Sequence, residues 1–189
     1  MRKFVKPWML ICVLDFLWSA CDLGSFAPGL PPPPNTAKDK FAELNSLAQS
    51  YNNGLRLMTV LSQDVKSDGT SDLWQYVYAG GALLQTSYWF HSGQGGIAFD
   101  STSVTGVGAA AITHHWCNSD SAMFIAERNG GSQFRNQNPH YMITAGVGEP
   151  VVPNPTTTWW ITYVSKDDRS RSLSLGIDAN TGVITLKYP

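Results

Sequence analysis

The chain has 189 residues, of which 43% are apolar and 12% aromatic. That is enough nonpolar side chain for one packed domain or two very small ones, and it excludes intrinsic disorder, which goes with few aromatics and a large net charge. The formal charge is only -1, which excludes the concentrated basic surface that displaces counterions from nucleic-acid phosphates.

The first elements lie at the N-terminus. Arg2, Lys3 and Lys6 precede an apolar run from Trp8 to Trp18, and Ser19-Ala20-Cys21 follows. A basic start, a short apolar core and small residues at the end are the layout of an export signal over residues 1–20. The core falls short of the roughly 20 residues a spanning helix needs. Leu17-Trp18-Ser19-Ala20-Cys21 resembles the lipobox of bacterial lipoproteins. The resemblance implies cleavage before Cys21, lipid on that cysteine, and a bacterial cell-envelope location on the periplasmic or extracellular face. The same residues also fit a plain secretory signal or a buried N-terminal helix. Cys12, Cys21 and Cys117 are the three cysteines. With Cys12 removed and Cys21 acylated, Cys117 stands without a disulfide; a Cys21–Cys117 bridge is the competing arrangement. Residues 21–36 hold four consecutive prolines, Pro31 to Pro34. Such a run favours polyproline II, a semi-rigid spacer of about 3 Å per residue. It reads as a tether that places the start of the folded part near Ala37.

Beyond the tether the chain reads as one grammar written twice. Phe41, Leu44, Ala48 and Tyr51 fall on one helical face, and Asn52-Asn53-Gly54 ends that helix. Strand signals follow at Leu55–Leu61, with Leu55, Leu57, Thr59 and Leu61 on one face, then at Leu73–Tyr78, Leu83–Phe90 and Ile97–Phe99. A second helix, capped by Ser119 or Ser121, runs through Ala122, Ile125 and Ala126 to a stop at Gly130-Gly131. Four more strands follow at His140–Thr144, Thr158–Val164, Leu173–Ile177 and Val183–Tyr188. Trp74-Gln-Tyr-Val-Tyr lines up with Trp160-Ile-Thr-Tyr-Val. The expected fold is therefore α+β: two helix-plus-four-stranded antiparallel units, residues 37–103 and 104–189, as an internal duplication. The alternative is a single continuous sheet whose two helices happen to look alike.

Three segments together, Asp120 to Gly131, Trp160-Ile-Thr-Tyr163 and Ile177-Asp-Ala-Asn-Thr-Gly-Val-Ile184, resemble a PepSY-type domain over about residues 112–188. The resemblance extends to residues 37–100 only by pattern, since Phe99-Asp100 lacks the following Thr-Gly. It implies a helix packed on a curled antiparallel sheet, shared with cystatin-like domains, and a non-catalytic binding or inhibitory module of the envelope, often associated with peptidases. In the Asp178–Gly182 turn, Asp178 is suited to accept bonds from turn amides and Gly182 to supply a positive φ.

Reactive constellations are thin. Cys117 lies near His114 and His115, but sequence neighbours on a strand point apart, and a small buried residue is the plainer reading. His91, His114, His115 and His140 have no metal-ligand spacing, so no metal or cofactor is expected. Asp167-Asp168 reads as a solvated turn, and no glycine loop opens a helix after a strand as phosphate binding needs. Gln75-Tyr-Val-Tyr-Ala-Gly80 approaches the Gln-x-Val-x-Gly hairpin of cystatins, but Gly80 comes one residue late. The aromatic strand residues are more informative. Trp74, Tyr76, Tyr78, Trp89, Trp159 and Trp160 are the candidate partner-binding residues. Trp159 and Trp160 are adjacent, so one of them must face away from the core. The expected function is non-catalytic binding of an envelope protein or peptide, a peptidase among the candidates. The rival expectation is a cone-shaped α+β domain with a ligand or enzyme pocket under the sheet.

Overall fold

A computed structural model of the chain describes residues 34–80, 86–104, 109–113, 115–150 and 156–189. Residues 1–33, which carry the expected export signal, Cys21 and most of the expected tether, lie outside the described residues, as does His114. In chain order the elements are α1 (Phe41–Tyr51), β1 (Arg56–Ser62), β2 (Leu73–Gly80), β3 (Thr86–Gly93), β4 (Gly96–Val104), β5 (Ala109–Ala110), α2 (Ser119–Ala126), α3 (Ser132–Gln137), β6 (Tyr141–Pro150), β7 (Thr158–Ser165), β8 (Ser172–Asp178) and β9 (Ile184–Tyr188). No helix among the described residues is long and apolar enough to cross a membrane.

The strands form one nine-stranded antiparallel sheet in the order β4-β3-β2-β1-β6-β7-β8-β9, with β5 also paired to β6. This corrects the expectation of two separate helix-plus-four-stranded PepSY/cystatin-like units. The first strand of each half pairs with the other, from Thr59 opposite Gly148 to Ser62 opposite Ala145. Two independent units would each leave a long edge of unpaired N–H and C=O groups here; joining β1 to β6 satisfies both edges at once. The core is shared as well. Trp74 of β2 and Trp159 of β7 meet edge to face at 6.2 Å, Trp116 lies 6.0 Å from Trp159, and Phe41 of α1 lies 5.6 Å from Trp116. The chain is therefore one sheet with one helix-covered face.

Alternation decides what lies under the helices. Trp74, Tyr76 and Tyr78 of β2, Ile143, Ala145 and Val147 of β6, Trp159, Ile161 and Tyr163 of β7, and Leu173, Leu175 and Ile177 of β8 are all buried. Burying each of the valine, leucine and isoleucine side chains among them is worth about 1.5–3 kcal/mol. Leu44 and Ala48 of α1, and Ala122, Met123 and Ala126 of α2, close over them. A bulge at Met58 breaks the expected one-face pattern of Leu55, Leu57, Thr59 and Leu61. Leu57 stays opposite the inward Tyr78, while Thr59 pairs with Val77 and Leu61 with Gln75. The extra residue thus turns Thr59 and Leu61 to the other face.

A strap ties the start of the domain to both halves. The Asn35 carbonyl accepts from Trp74 Nε1 at 2.9 Å, and the Ala37 carbonyl accepts from the Tyr76 hydroxyl at 2.8 Å. On the other side, Ala37 N–H donates to Ser119 Oγ and Lys38 N–H to Asn118 Oδ1, both at 3.0 Å. Asn118, rather than Ser119 or Ser121, caps α2, its side chain accepting from Ser119 N–H. The helical run that starts at Ser119 ends as expected at Gly130-Gly131, where Asn129 and Gly130 leave helical geometry. The chain kinks there, with Gly130 at φ 123°, and a second helical stretch, α3, begins at once. A positive φ of this size is open to glycine and strained for any other residue.

Candidate functional site

The six candidate aromatics divide by face. Trp74, Tyr76, Tyr78 and Trp159 are core residues, each at most 1% exposed, and their polar atoms are used internally. Trp159 Nε1 donates to the Cys117 carbonyl at 3.0 Å, and the Tyr76 hydroxyl, pushed up to about 12 by burial, bonds the strap. These four present nothing to a partner. Trp89 and Trp160 lie on the opposite face of the sheet. Trp89 is half-buried on β3 and donates its indole N–H to Ser103 Oγ of β4 at 3.0 Å. Trp160 is 44% exposed, against 0% for Trp159.

Trp160 is exposed because of its neighbours in the sheet. The cross-strand row through it runs Gln75, Leu61, Gly146, Trp160, Gly176, Leu186. Glycines stand on both sides, so no side chain flanks the indole on β6 or β8. A Cβ added to Gly176 would come within 3.2 Å of both Trp160 Cζ3 and Leu186 Cβ. The indole therefore leans over the Gly176 backbone, with Leu186 beyond it. Leu186 and Tyr188 of β9 are themselves exposed. Together they make an apolar patch on β7 and the edge strand. Thr144, Thr162 and Ser174 form the adjoining cross-strand row, and Thr162 and Ser174 share a hydroxyl contact of 3.1 Å.

On the helix side of the same edge is a groove of about 450 Å³ between α3 and strands β8 and β9. Phe134 and Leu173 form its apolar part; Gln133, Gln137, Arg171 and Lys187 supply polar ends. The Lys187 ammonium donates to the Asn129 carbonyl at 2.7 Å, holding β9 to the kink. Behind the groove the kink is braced by a partly buried ion pair. Glu127 accepts from Arg135 Nη2 at 2.6 Å and from Nε at 3.1 Å, and also from the Tyr163 hydroxyl at 3.0 Å. Burial, with the Glu127 carboxylate beside it, holds the Tyr163 hydroxyl far above its ordinary range; the Glu127 hydrogen bonds do the same for the Arg135 guanidinium. The three side chains thus form a hydrogen-bonded brace across the kink, in which the phenol and the guanidinium both keep their protons. Gly131 is required for it, since any Cβ there would collide with Tyr163 Oη.

Other chemistry-bearing residues do not converge. Cys117 is buried before α2. His115 is exposed, and His140 lies 3.1 Å from Asp167 at the surface. His91 pairs with Asp100 on β3 and β4. Asp168 is held below the usual carboxylate range by the side-chain and backbone bonds of Ser170. Among the described residues no group of three His, Cys, Asp or Glu side chains is placed to hold a metal ion. Glu149 is a buried carboxylate that accepts from Thr113 N–H and Thr157 Oγ1, both at 2.8 Å. The Asp178 turn has the expected geometry. Its carboxylate accepts from Asn180 and Thr181 N–H at 2.9 and 2.8 Å, with Gly182 at φ 74°. Sequence reasoning missed the groove. The signal available to it is Gln133, Phe134 and Gln137 on one helical face, in a second helix that was not expected after Gly130-Gly131.

Comparison with known proteins gives no match: no family model, no curated protein and no solved structure is similar to this chain.

Proposed function

We propose that the chain is an exported, lipid-anchored protein of the bacterial envelope. Its folded part is a non-catalytic module that binds a protein or peptide through the β7–β9 edge of the sheet. The observation that carries this reading is the exposed Trp160–Leu186–Tyr188 patch beside an edge strand. Tryptophan and tyrosine dominate binding energy where they anchor a partner, and glycines on either side keep the Trp160 ring accessible. The aromatic face that would line a pocket under the sheet is packed by Trp74, Tyr76, Trp159 and Tyr163, which counts against the rival enzyme or ligand-pocket reading. The anchor rests on the basic start, apolar core and Leu17–Cys21 of the sequence.

The test is photo-crosslinking in cells from position 188, comparing the native chain with Trp160→Ala and Trp89→Ala. The reading expects defined adducts that disappear with Trp160→Ala and persist with Trp89→Ala. An identical adduct pattern in all three would overturn it. For the anchor, Cys21→Ser should release the protein from membranes; continued attachment would assign membrane binding to another segment.

A further inference from the structure

We propose that the groove between α3 and β9 accepts an extended, acidic peptide segment, added to β9 as a further antiparallel or parallel strand. This rests on the reading of the β7–β9 edge as the binding edge and names the chemistry of what it binds. Among the described residues β9 pairs only with β8, so its outer side presents a row of backbone N–H and C=O groups. Thr185 to Tyr188 are exposed along that side. Such an edge takes an added strand through main-chain bonds, and pockets for alternate side chains supply selectivity.

Here the alternate side chains meet two different environments. One set falls toward the Leu186–Tyr188 patch. The other falls into the groove, about 450 Å³ in volume, over Phe134 and Leu173. The charge of the groove is one-sided. Arg171 and Lys187 line it, the remaining polar groups include the neutral amides of Gln133 and Gln137, and no Asp or Glu side chain lines it. Lys187 gives one donor to the Asn129 carbonyl, leaving further ammonium protons for a ligand. Arg171 has a loose, exposed partner in Asp168 at 3.5 Å, and exposed pairs of this kind are weak and readily exchanged. A carboxylate entering the groove meets two cations within a chain that is otherwise mildly acidic; a lysine entering it meets like charge from both.

The experiment uses the full chain in detergent and three fluorescein-labelled ten-residue peptides, alternating valine with glutamate, glutamine or lysine. Anisotropy gives affinity. The glutamate peptide is expected to bind at least tenfold more tightly than the lysine peptide, with the preference inverted by Arg171→Glu plus Lys187→Glu. Both positions are on the surface, and an unchanged melting curve shows the variant is folded. Trp160→Ala should weaken all three peptides. Equal affinities that still depend on Trp160 would overturn the acidic preference and leave the edge reading standing. Binding indifferent to Trp160 and to both cations, or no binding of any peptide, would overturn the groove as a peptide site. The crosslinking result would then judge the edge reading on its own.

Discussion

At the β4 end of the sheet the helix layer reaches the edge. Tyr51, the last residue of α1, stacks on Phe99 of β4 at 4.7 Å and meets Phe90 of β3 edge-on at 5.6 Å. At the β9 end the kinked α2–α3 segment stops over β7 and β8, and the space above the edge strand is a groove bridged by Lys187. The opposite faces differ in the same sense. Trp89 is tied to Ser103 of the edge strand and half-buried, whereas Trp160 is exposed. One end is closed by its own side chains; the other leaves an aromatic ring, an edge strand and a cationic groove open. The difference is set by a few residues, Tyr51 on one side and the glycines 130, 131, 146 and 176 on the other.

The largest effects should come from what the two ends have in common. Trp74→Ala and Trp159→Ala each remove a fully buried indole from one shared core and should cost about 3–5 kcal/mol. Because the core is continuous, both should shift a single urea transition followed by fluorescence and circular dichroism together. Two separable transitions would show that the halves unfold independently. Next, Gly131→Ala drives a methyl group into Tyr163 Oη and should cost about 1–3 kcal/mol. Tyr163→Leu in the same chain removes both colliding atoms, Oη and Cζ, so the double variant should be less destabilised than the two single losses combined. Additive losses would mean Gly131 is needed for another reason.

A smaller effect is expected from Tyr51→Ala, about 1 kcal/mol for the lost ring contacts. It should also open a recess at the β4 end like the one at β9. Binding of a hydrophobic dye by this variant, unchanged from the native chain, would show that the recess closes by itself. The smallest effect concerns Asp120, whose carboxyl is held above its ordinary 3.8 by burial, against the bonds from Ser121 and the charge of Lys38. The folded state then binds this proton more tightly than the unfolded state. Stability falls as pH rises from 3.8 through the raised value and is level above it. Asp120→Asn removes that fall, so its stability relative to the native chain should be higher at pH 7 than at pH 3.5. A constant difference would place the carboxyl at its ordinary value.

What the sequence made legible was local. The Asp178–Gly182 turn, the opposed faces of Trp159 and Trp160, and the end of α1 at Asn52 all follow from a few adjacent residues and came out as read. What it hid depends on distant partners or on a single extra residue. The pairing of Thr59–Ser62 with Ala145–Gly148 leaves no mark in either segment, so a continuous sheet reads as two units. Aligning Trp74 with Trp160 was off by one position, and on a strand one position reverses the face. The structural counterpart of Trp74 is Trp159, which it touches. The bulge at Met58 moves Thr59 and Leu61 outward in the same way. The groove depends on how far α3 runs relative to β9, a matter of tertiary placement. The aromatic surplus that suggested a binding surface is mostly core: of the six, only Trp89 and Trp160 lie on the outer face, and Trp160 is the exposed one.

The strap at Asn35–Lys38 has a mechanical consequence. Any tension arriving from the N-terminal side, as it would from a lipid at Cys21, reaches the fold where one short segment grips Trp74 and Tyr76 on one half and Asn118 and Ser119 on the other. The load is therefore divided between two halves of one sheet instead of unzipping a single edge strand. It is taken up at a point remote in sequence from β9, so a pull at the N-terminal strap and a load at the far edge would act on different parts of the same sheet.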